Sequence, residues 1–173
     1  MSDKKVLLIT YDNCDDSEVL YPLFRMREAG YTVDVASMEK RTIKAKYHFT
    51  VDADLLLEEV DPAGYAGLIL PGGTAPEKIR QRDEALAITR YFDKNGLPIA
   101  AICHGPLILI SAGTLRGRKC TCYPGIRDDL INAGGIYENS EVVVDANLVT
   151  SRRPEDLPAF MREFVALLDK NNK

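Results

Sequence analysis

The feature that most constrains the fold is a strand–turn–helix pattern between Pro98 and Gly113. Its first part, Ile99 to Ile102, is a short apolar run without polar alternation, which is typical of a strand buried on both faces of a parallel sheet. After a Gly-Pro pair, a second apolar run predicts a buried helix that ends at Gly113. Cys103 therefore falls on the sharp turn between the strand and the helix.

A cysteine in this position has two interpretations. The turn projects its sulfur above the carboxyl edge of the sheet, where α/β proteins bind their ligands. The helix start beyond it offers free N–H groups and a positive dipole end, which are expected to lower the pKa of the thiol and to stabilise an oxyanion. This arrangement matches the nucleophile elbow of hydrolases, with cysteine in place of serine. We therefore favour Cys103 as a nucleophile over Cys103 as a small buried hydrophobic residue.

Strand and helix patterns alternate along the rest of the chain. Further strands are predicted over 5–10, 31–37 and 65–70, an edge strand near 115–123, a hairpin over 141–150 and an exposed ribbon over 41–50. Helices are predicted over 18–29, 52–60, 74–82, 83–94, 124–133 and 158–168, the first capped by Ser17 or Asp16. This order predicts one domain over residues 1–173, a three-layer α/β/α sandwich around a mostly parallel sheet.

Charge and composition exclude several classes of function. The formal net charge is −4 and no block of lysine or arginine occurs, so we expect no nucleic-acid-binding surface. No signal peptide and no apolar span of about 20 residues is visible, which predicts a cytoplasmic protein without a membrane partner. The four cysteines are then expected to be reduced. With two histidines and a Cys-x-Cys pair at 120–122, the chain fits no metal site, and we predict no metal and no cofactor.

Three loops are predicted to leave the carboxyl ends of central strands, at residues 11–18, 71–77 and 103–106. In a doubly wound sheet such loops converge on one crevice. Together they carry the residues that could do chemistry, namely Glu18, Gly72, Gly73, Glu77, Cys103 and His104.

These residues suggest different roles around the thiol. The backbone N–H groups of Gly73 and His104 are the candidate oxyanion donors. If Glu18 is desolvated beside Cys103, its pKa should rise, and the protonated carboxyl could then donate a hydrogen bond to a thiolate. His104 is either the base or, because adjacent side chains on a turn tend to diverge, a residue that points elsewhere. Glu77 is either the group that orients the imidazole of His104 or a charge at the start of a helix. The alternative for Glu18 is likewise a charge at a helix start.

Four segments of the chain resemble the ThiJ/PfpI superfamily. They are Ala101 to Pro106 (Ala-Ile-Cys-His-Gly-Pro), Leu70 to Glu77, Tyr123 to Asp129 (Tyr-Pro-Gly-Ile-Arg-Asp-Asp) and Val142 to Asn147. The similarity extends over nearly the whole chain, and the PfpI branch of intracellular peptidases is the most similar. It implies a flavodoxin-like sandwich with the nucleophile at the elbow.

The resemblance also implies roles for individual residues. It makes Cys103 the nucleophile, His104 its neighbour in the active site and Glu18 the acid that faces the sulfur. The oxyanion N–H groups are then those of Gly73 and His104.

Further positions follow from the same resemblance. Tyr123 matches a position near the site. Gly72 is a candidate on the residues alone, because it lies in a turn whose glycines let backbone approach a ligand. In the PfpI branch the acidic member of the triad comes from an adjoining subunit, and Glu77 stands at the matching position. This implies a homo-oligomer, a dimer or a hexamer, with the site at a subunit interface.

Members of this family are described as ATP-independent peptidases, as deglycases of glycated protein or nucleotide and as glyoxalase-like enzymes, and some act in stress responses. The resemblance thus predicts a cysteine hydrolase acting on a peptide or a small-molecule adduct, and a small crevice would favour deglycation. The alternative is a non-catalytic redox sensor or chaperone-like protein that uses oxidation of Cys103, with Cys14 as a possible resolving thiol.

Two other classes that use this kind of sheet do not fit. A glutamine amidotransferase needs a histidine well downstream of its cysteine, and none follows His104. A nucleotide-binding module is disfavoured because the loop after the first strand, residues 11–16, is acidic and would repel phosphate.

Overall fold

The apolar runs of the sequence form strands in the computed structural model, which describes residues 4–171. The strands are β1 (Lys5–Ile9), β2 (Thr32–Ser37), β3 (Thr42–Lys44), β4 (Thr50–Asp52), β5 (Leu55–Leu56), β6 (Gly67–Leu70), β7 (Ile99–Ile102), β8 (Lys119–Cys120), β9 (Ile136–Tyr137), β10 (Val143–Asp145) and β11 (Leu148–Ser151). The helices are α1 (Asp16–Glu28), α2 (Ala75–Ile79), α3 (Asp83–Lys94), α4 (Pro106–Ala112), α5 (Arg127–Asn132) and α6 (Leu157–Asn171). Residues 1–3 and 172–173 of the predicted domain lie outside the described part.

Seven strands form the central sheet, in the order β10-β11-β7-β6-β1-β2-β5. All neighbours are parallel except β10 and β11, which form an antiparallel hairpin. The step from β1 to β2 runs toward one edge, and the step from β6 to β7 runs toward the other. Because crossovers are right-handed, their helices cover opposite faces. The predicted three-layer, flavodoxin-like α/β/α sandwich is confirmed.

The change of direction between β1 and β6 positions the site. Loops that leave these two strands at their carboxyl ends diverge to opposite faces and open a crevice between them. β6 and β7 are buried along their whole length, as is β1 beyond Lys5, which explains their unbroken apolar sequences. On one face α6 packs so closely that a Cβ added to Gly67 would lie 2.9 Å from Phe164.

The prediction of a helix over residues 52–60 is wrong. The backbone N–H of Asp54 donates to Val35 O, and the N–H of Val35 donates to the Asp54 carboxylate, both at 2.8 Å. These two bonds tie the segment to the edge of β2, so that Leu55–Leu56 extends the sheet as β5. Only a 3-10 turn over Leu57–Glu59 remains of the expected helix.

Two smaller expectations also differ. The cap of α1 is Asp15, whose carboxylate accepts the N–H groups of Ser17 and Glu18, and not Ser17 or Asp16. β8 is not an edge strand of the central sheet; it pairs in parallel with β9 in a separate two-stranded sheet.

The ribbon predicted over residues 41–50 is present as the antiparallel pair β3 and β4. Among residues 4–171, no helix is both long and apolar enough to cross a membrane.

Candidate active site

The site begins with the elbow at Cys103. Its φ of 61° is left-handed, a conformation that non-glycine residues rarely adopt, and it turns the chain from β7 toward α4. The backbone is held from both sides: Cys103 N–H donates to Ser151 O at 3.0 Å, and Cys103 O accepts from Tyr123 N–H at 2.9 Å. These bonds fix the direction of the thiol.

Gly72 and Gly73 bring a second backbone segment against the elbow. A Cβ on Gly72 would lie 2.5 Å from Glu18 Oε2 and 2.7 Å from Cys103 Cβ, so no side chain fits there. Gly73 has a φ of 77° and lines the cavity beside the thiol. The N–H of Gly72 donates to Glu18 Oε2 at 2.7 Å, and the predicted contact of Gly72 with substrate stays a prediction.

Glu18 reaches this point from the first turn of α1 and is fully buried. Its Oε2 accepts the N–H of Gly72, whereas Oε1 has no hydrogen-bond partner in the described chain. Burial, with a smaller contribution from the charge of Asp15, raises the pKa of Glu18 to about 8. The carboxyl is therefore protonated at neutral pH, as the sequence led us to expect for a desolvated Glu18.

Glu18 and Cys103 form one coupled pair. Burial raises the pKa of the Cys103 thiol, the negative charge of an ionised Glu18 raises it further, and the N–H groups of Gly73 and His104 lower it. The expectation that the helix start gives the thiol a lowered pKa is thus wrong, because burial outweighs the amides. The two groups lose one proton far more easily than two, and the amides on the sulfur stabilise the state in which Cys103 holds the charge.

His104 faces the sulfur, although adjacent side chains on a turn often diverge. Its Nδ1 lies 3.3 Å from Cys103 Sγ, and its ring stacks on Tyr123 with centroids 4.8 Å apart. Burial lowers the pKa of His104, so that the ring is neutral at pH 7 and can accept or relay a proton.

Glu77 is the one predicted catalytic residue that does not reach the thiol within the chain. It lies on α2 and is exposed. The structure gives its carboxylate no hydrogen bond and no ion pair among residues 4–171, although its charge raises the pKa of His104.

These groups open into a cavity of about 240 Å³. The lining residues are Asp15, Lys46, Gly73, Thr74, Cys103, His104, Tyr123 and Pro154. Four of them, Asp15, Lys46, Thr74 and Pro154, were not predicted as site residues. A wider depression of about 400 Å³ along α1, against Tyr21 and Phe24, lies away from every candidate catalytic group.

The other three cysteines are free and buried. Burial raises the pKa of Cys14 and of Cys120 to about 11 and that of Cys122 to about 12. Cys14 thus holds its proton at neutral pH, and its role as a resolving thiol for an oxidised Cys103 stays a prediction. Within residues 4–171, no cluster of three or more His, Cys, Asp or Glu side chains is arranged to hold a metal ion.

Comparisons with known proteins agree on one family. A model described as the DJ-1/PfpI family matches residues 4–167. A deglycase of Pyrococcus horikoshii is 52% identical over 164 residues, which cover 95% of this chain and 99% of that protein. General stress protein 18 of Bacillus subtilis is 42% identical over 175 residues, covering 98% of this chain and 100% of that protein.

A solved structure shows the same fold. It is a two-domain protein of Anabaena variabilis with a DJ-1/ThiJ/PfpI-like and a ferritin-like domain, 32% identical to this chain, with a TM-score of 0.94. The match covers 96% of this chain and 48% of that protein, so this chain spans about half of its length.

Proposed function

This chain belongs to the DJ-1/PfpI family, and on that premise we propose that it is a cysteine-dependent deglycase, a hydrolase that removes small carbonyl adducts from amines or thiols. The observation that carries the proposal is the size of the cavity at Cys103, about 240 Å³. A cavity of that volume accepts a small adduct but not a folded polypeptide, which favours deglycation over the peptidase alternative.

The chemistry follows from the groups around the sulfur. Cys103 Sγ replaces the amine or thiol on the carbinol carbon of the adduct: a C–S bond to Cys103 forms, the bond from that carbon to the leaving nitrogen or sulfur breaks, and the neutral His104 ring passes the Cys103 thiol proton to the leaving atom. Proton transfer between the carbinol and carbonyl carbons then converts the Cys103-bound hemithioacetal into a thioester, and the N–H groups of Gly73 and His104 stabilise the negative charge on oxygen in this step. Water hydrolyses the thioester, which releases a 2-hydroxy acid and restores the thiol.

Glu18 sets the charge of the nucleophile. While its carboxyl is protonated, it adds no negative charge against the sulfur, and its unpartnered Oε1 is available as a donor toward a thiolate. Once the pair has lost one proton, a proton kept on Glu18 lets the negative charge lie on Cys103, where the N–H groups of Gly73 and His104 stabilise it. Because Glu18 is buried, its carboxyl keeps a proton at neutral pH and can act as a hydrogen-bond donor.

We also propose that Glu77 completes the site of an adjoining subunit in a homo-oligomer. Its exposed carboxylate without an ion pair in the described chain supports this. Glu77→Gln should lower kcat/KM about tenfold and lower the pKa that His104 contributes to the pH–rate profile. Light scattering across a dilution series gives the oligomeric state, and specific activity that stays constant down to the monomer would contradict the proposal.

The test of the catalytic proposal offers the protein two alternative substrates. One is the methylglyoxal adduct of N-acetylcysteine, and the other is casein. The wild-type protein should consume the adduct, and Cys103→Ala should lose at least about 10³-fold in kcat/KM because the nucleophile is gone. Cys14→Ala is the matched control and should retain its activity.

Other outcomes separate the alternatives. Cleavage of casein with no turnover of the adduct would favour a peptidase. If the wild-type protein is inert toward both, the non-catalytic redox sensor gains, and a stress-related role like the one that the name of the Bacillus subtilis relative indicates would have to act through oxidation of Cys103.

A further inference from the structure

A lysine lines the cavity beside the nucleophile. Lys46 lies at the turn between β3 and β4, more than fifty residues before Cys103, yet both side chains line the same cavity. Of the lining residues in the described chain, Lys46 is the only lysine or arginine. The ribbon that appeared to be a peripheral element is therefore one wall of the site.

The position of Lys46 is fixed by hydrogen bonds. Its own N–H donates to Cys14 O at 2.9 Å. The N–H groups of Tyr47 and Phe49 donate to the two carboxylate oxygens of Asp16, each at 2.7 Å. The ribbon tip is thus attached to the start of α1, the helix that also supplies Glu18. The backbone of Lys46 is therefore held in a fixed position beside Glu18 and Cys103.

The positive charge of Lys46 has no acidic partner of its own. Its ammonium group makes no ion pair among residues 4–171, and its nearest described ring is that of Tyr47, at 4.9 Å. The only carboxylate on the cavity wall is that of Asp15, whose Oδ1 already accepts the N–H groups of Ser17 and Glu18. A hydrogen bond to Tyr47 and, to a smaller extent, the charge of Asp15 raise the pKa of Lys46, so that its ammonium group keeps its positive charge.

The other ionisable groups of the cavity do not compete for Lys46. Glu18 is protonated and His104 is neutral at pH 7. A cavity with one such cation favours a ligand that brings an anion within a few bonds of the carbon that Cys103 attacks. A cavity of about 240 Å³ holds a small acid more easily than a nucleotide with its phosphates, so a carboxylate is the anion that fits it better.

We propose that Lys46 is a specificity-determining residue that binds a carboxylate of the substrate, so that the preferred adducts are those of small acids such as free amino acids or thiol acids. This rests on the proposed deglycase function. The assignment of Lys46 to carboxylate binding can nevertheless be tested without turnover.

The first test compares two alkylating agents that differ in one charge. In both reactions the Cys103 thiolate displaces iodide, a C–S bond forms and the C–I bond breaks; iodoacetate carries a carboxylate, and iodoacetamide a neutral amide. The ratio of the iodoacetate rate constant to the iodoacetamide rate constant, measured at pH 7.0 by mass spectrometry of the Cys103 peptide, should fall about fivefold in Lys46→Met. Lys46→Arg should restore most of the ratio.

The control is Lys44→Met, which removes an exposed lysine of the same ribbon that does not line the cavity, and it should keep the wild-type ratio. If Lys46→Met slows both reagents equally, Lys46 only stabilises the thiolate, and the proposal is overturned. An unchanged ratio in Lys46→Met overturns it as well.

The second test uses matched substrates, the methylglyoxal hemithioacetals of N-acetylcysteine and of N-acetylcysteinamide. The preference of the wild-type protein for the acid, as a ratio of kcat/KM values, should fall about fivefold in Lys46→Met, mainly through KM. If the wild-type protein turns over neither substrate, the deglycase proposal fails, while the alkylation ratio still decides whether Lys46 recruits a carboxylate.

Discussion

The floor and the rim of the cavity differ in their exposure to solvent. The floor is Cys103, which lines the cavity, together with Glu18 and Gly72 packed against it; all three are buried, and the central strands and the first turn of α1 hold them. The rim is Lys46, which also lines the cavity, together with the rest of the ribbon tip up to Phe49 and Glu77 on α2, and it is largely exposed. The floor can alter the ionisation of its groups because water is excluded, whereas the rim keeps ordinary charges that are available to a ligand or a neighbouring subunit.

The difference shows how reactivity and selectivity are separated in this molecule. The pKa of Glu18 is raised because the carboxyl is buried, and that burial costs stability at neutral pH. The rim is held by hydrogen bonds near the surface, and it does not lower the stability of the fold in the way that the buried Glu18 does. Changes in the floor should therefore affect both folding and chemistry, while changes in the rim should affect mainly substrate binding.

The largest effect is expected from a side chain added to the floor. In Gly72→Ala the new Cβ would overlap Glu18 Oε2 and Cys103 Cβ, and neither can move into solvent. We expect a loss of about 3 kcal/mol in the free energy of unfolding, as for overpacked cores, and of at least about 100-fold in kcat/KM. Denaturant titration and initial rates measure the two effects.

The control for this variant is Gly64→Ala, where an added Cβ meets no atom within 4 Å. It should change stability by less than about 0.5 kcal/mol. If Gly72→Ala is as mild as Gly64→Ala, the floor is not as tightly packed as its distances indicate.

The next effect is that of Glu18→Gln, which should stabilise the fold while lowering activity. The folded-state pKa of about 8 lies above the ordinary value of 4.5. The folded chain therefore keeps a proton that the unfolded chain has released, and the wild-type protein loses stability as pH rises from about 4.5 to 8. At about 1.4 kcal/mol per pH unit over 2.5 units, the gain in Glu18→Gln is roughly 3–4 kcal/mol at pH 7 and vanishes near pH 4.5.

Activity tests the same carboxyl in another way. Glu18→Gln should lower kcat about tenfold and remove the ionisation near pH 8 from its pH profile, because an amide cannot exchange a proton with Cys103. Glu28→Gln, an exposed residue at the end of the same helix, should leave both stability and profile unchanged. A stability difference between wild type and Glu18→Gln that does not vary with pH would contradict a buried, titrating Glu18.

The smallest effect is expected at the rim. Asp16→Asn replaces one of two acceptor oxygens by an NH₂ group, which opposes the N–H of Tyr47 or Phe49. The loss of one bond to a charged acceptor is about 1–2 kcal/mol, confined to the ribbon tip. Hydrogen exchange at these two amides should accelerate, and KM should rise a few-fold with kcat nearly constant; Asp61→Asn, a cap far from the site, should do neither.

The parts of the fold that follow local rules could be predicted from the sequence. Ile99–Ile102 is an unbroken apolar run, and the Gly-Pro pair after Cys103 marks the elbow, so strand, turn and helix were placed correctly. The convergence of Glu18, Gly73 and Cys103 followed from the geometry of parallel strands. The rise in the pKa of Glu18 was expected from desolvation, which is its largest cause.

What could not be predicted depends on non-local hydrogen bonds. The segment after Asp52 became β5 because Asp54 bonds to Val35 across the sheet edge, a contact that no helical periodicity reveals. Lys46 joined the cavity because Asp16 and the carbonyl of Cys14 attach the ribbon tip to the loop before α1 and to its start. The acidic run at residues 12–16 was the available signal, since several adjacent carboxylates near a strand end commonly accept backbone N–H groups from a neighbouring segment.

The two hydrogen bonds that hold the Cys103 backbone also set when the site can first exist during synthesis. Both partners, Tyr123 and Ser151, are translated after the nucleophile, and Ser151 belongs to a strand that must first pair beside β7. A nascent chain that ends before Ser151 lacks the carbonyl that accepts the Cys103 N–H, so the elbow that directs the thiol is not yet held in place.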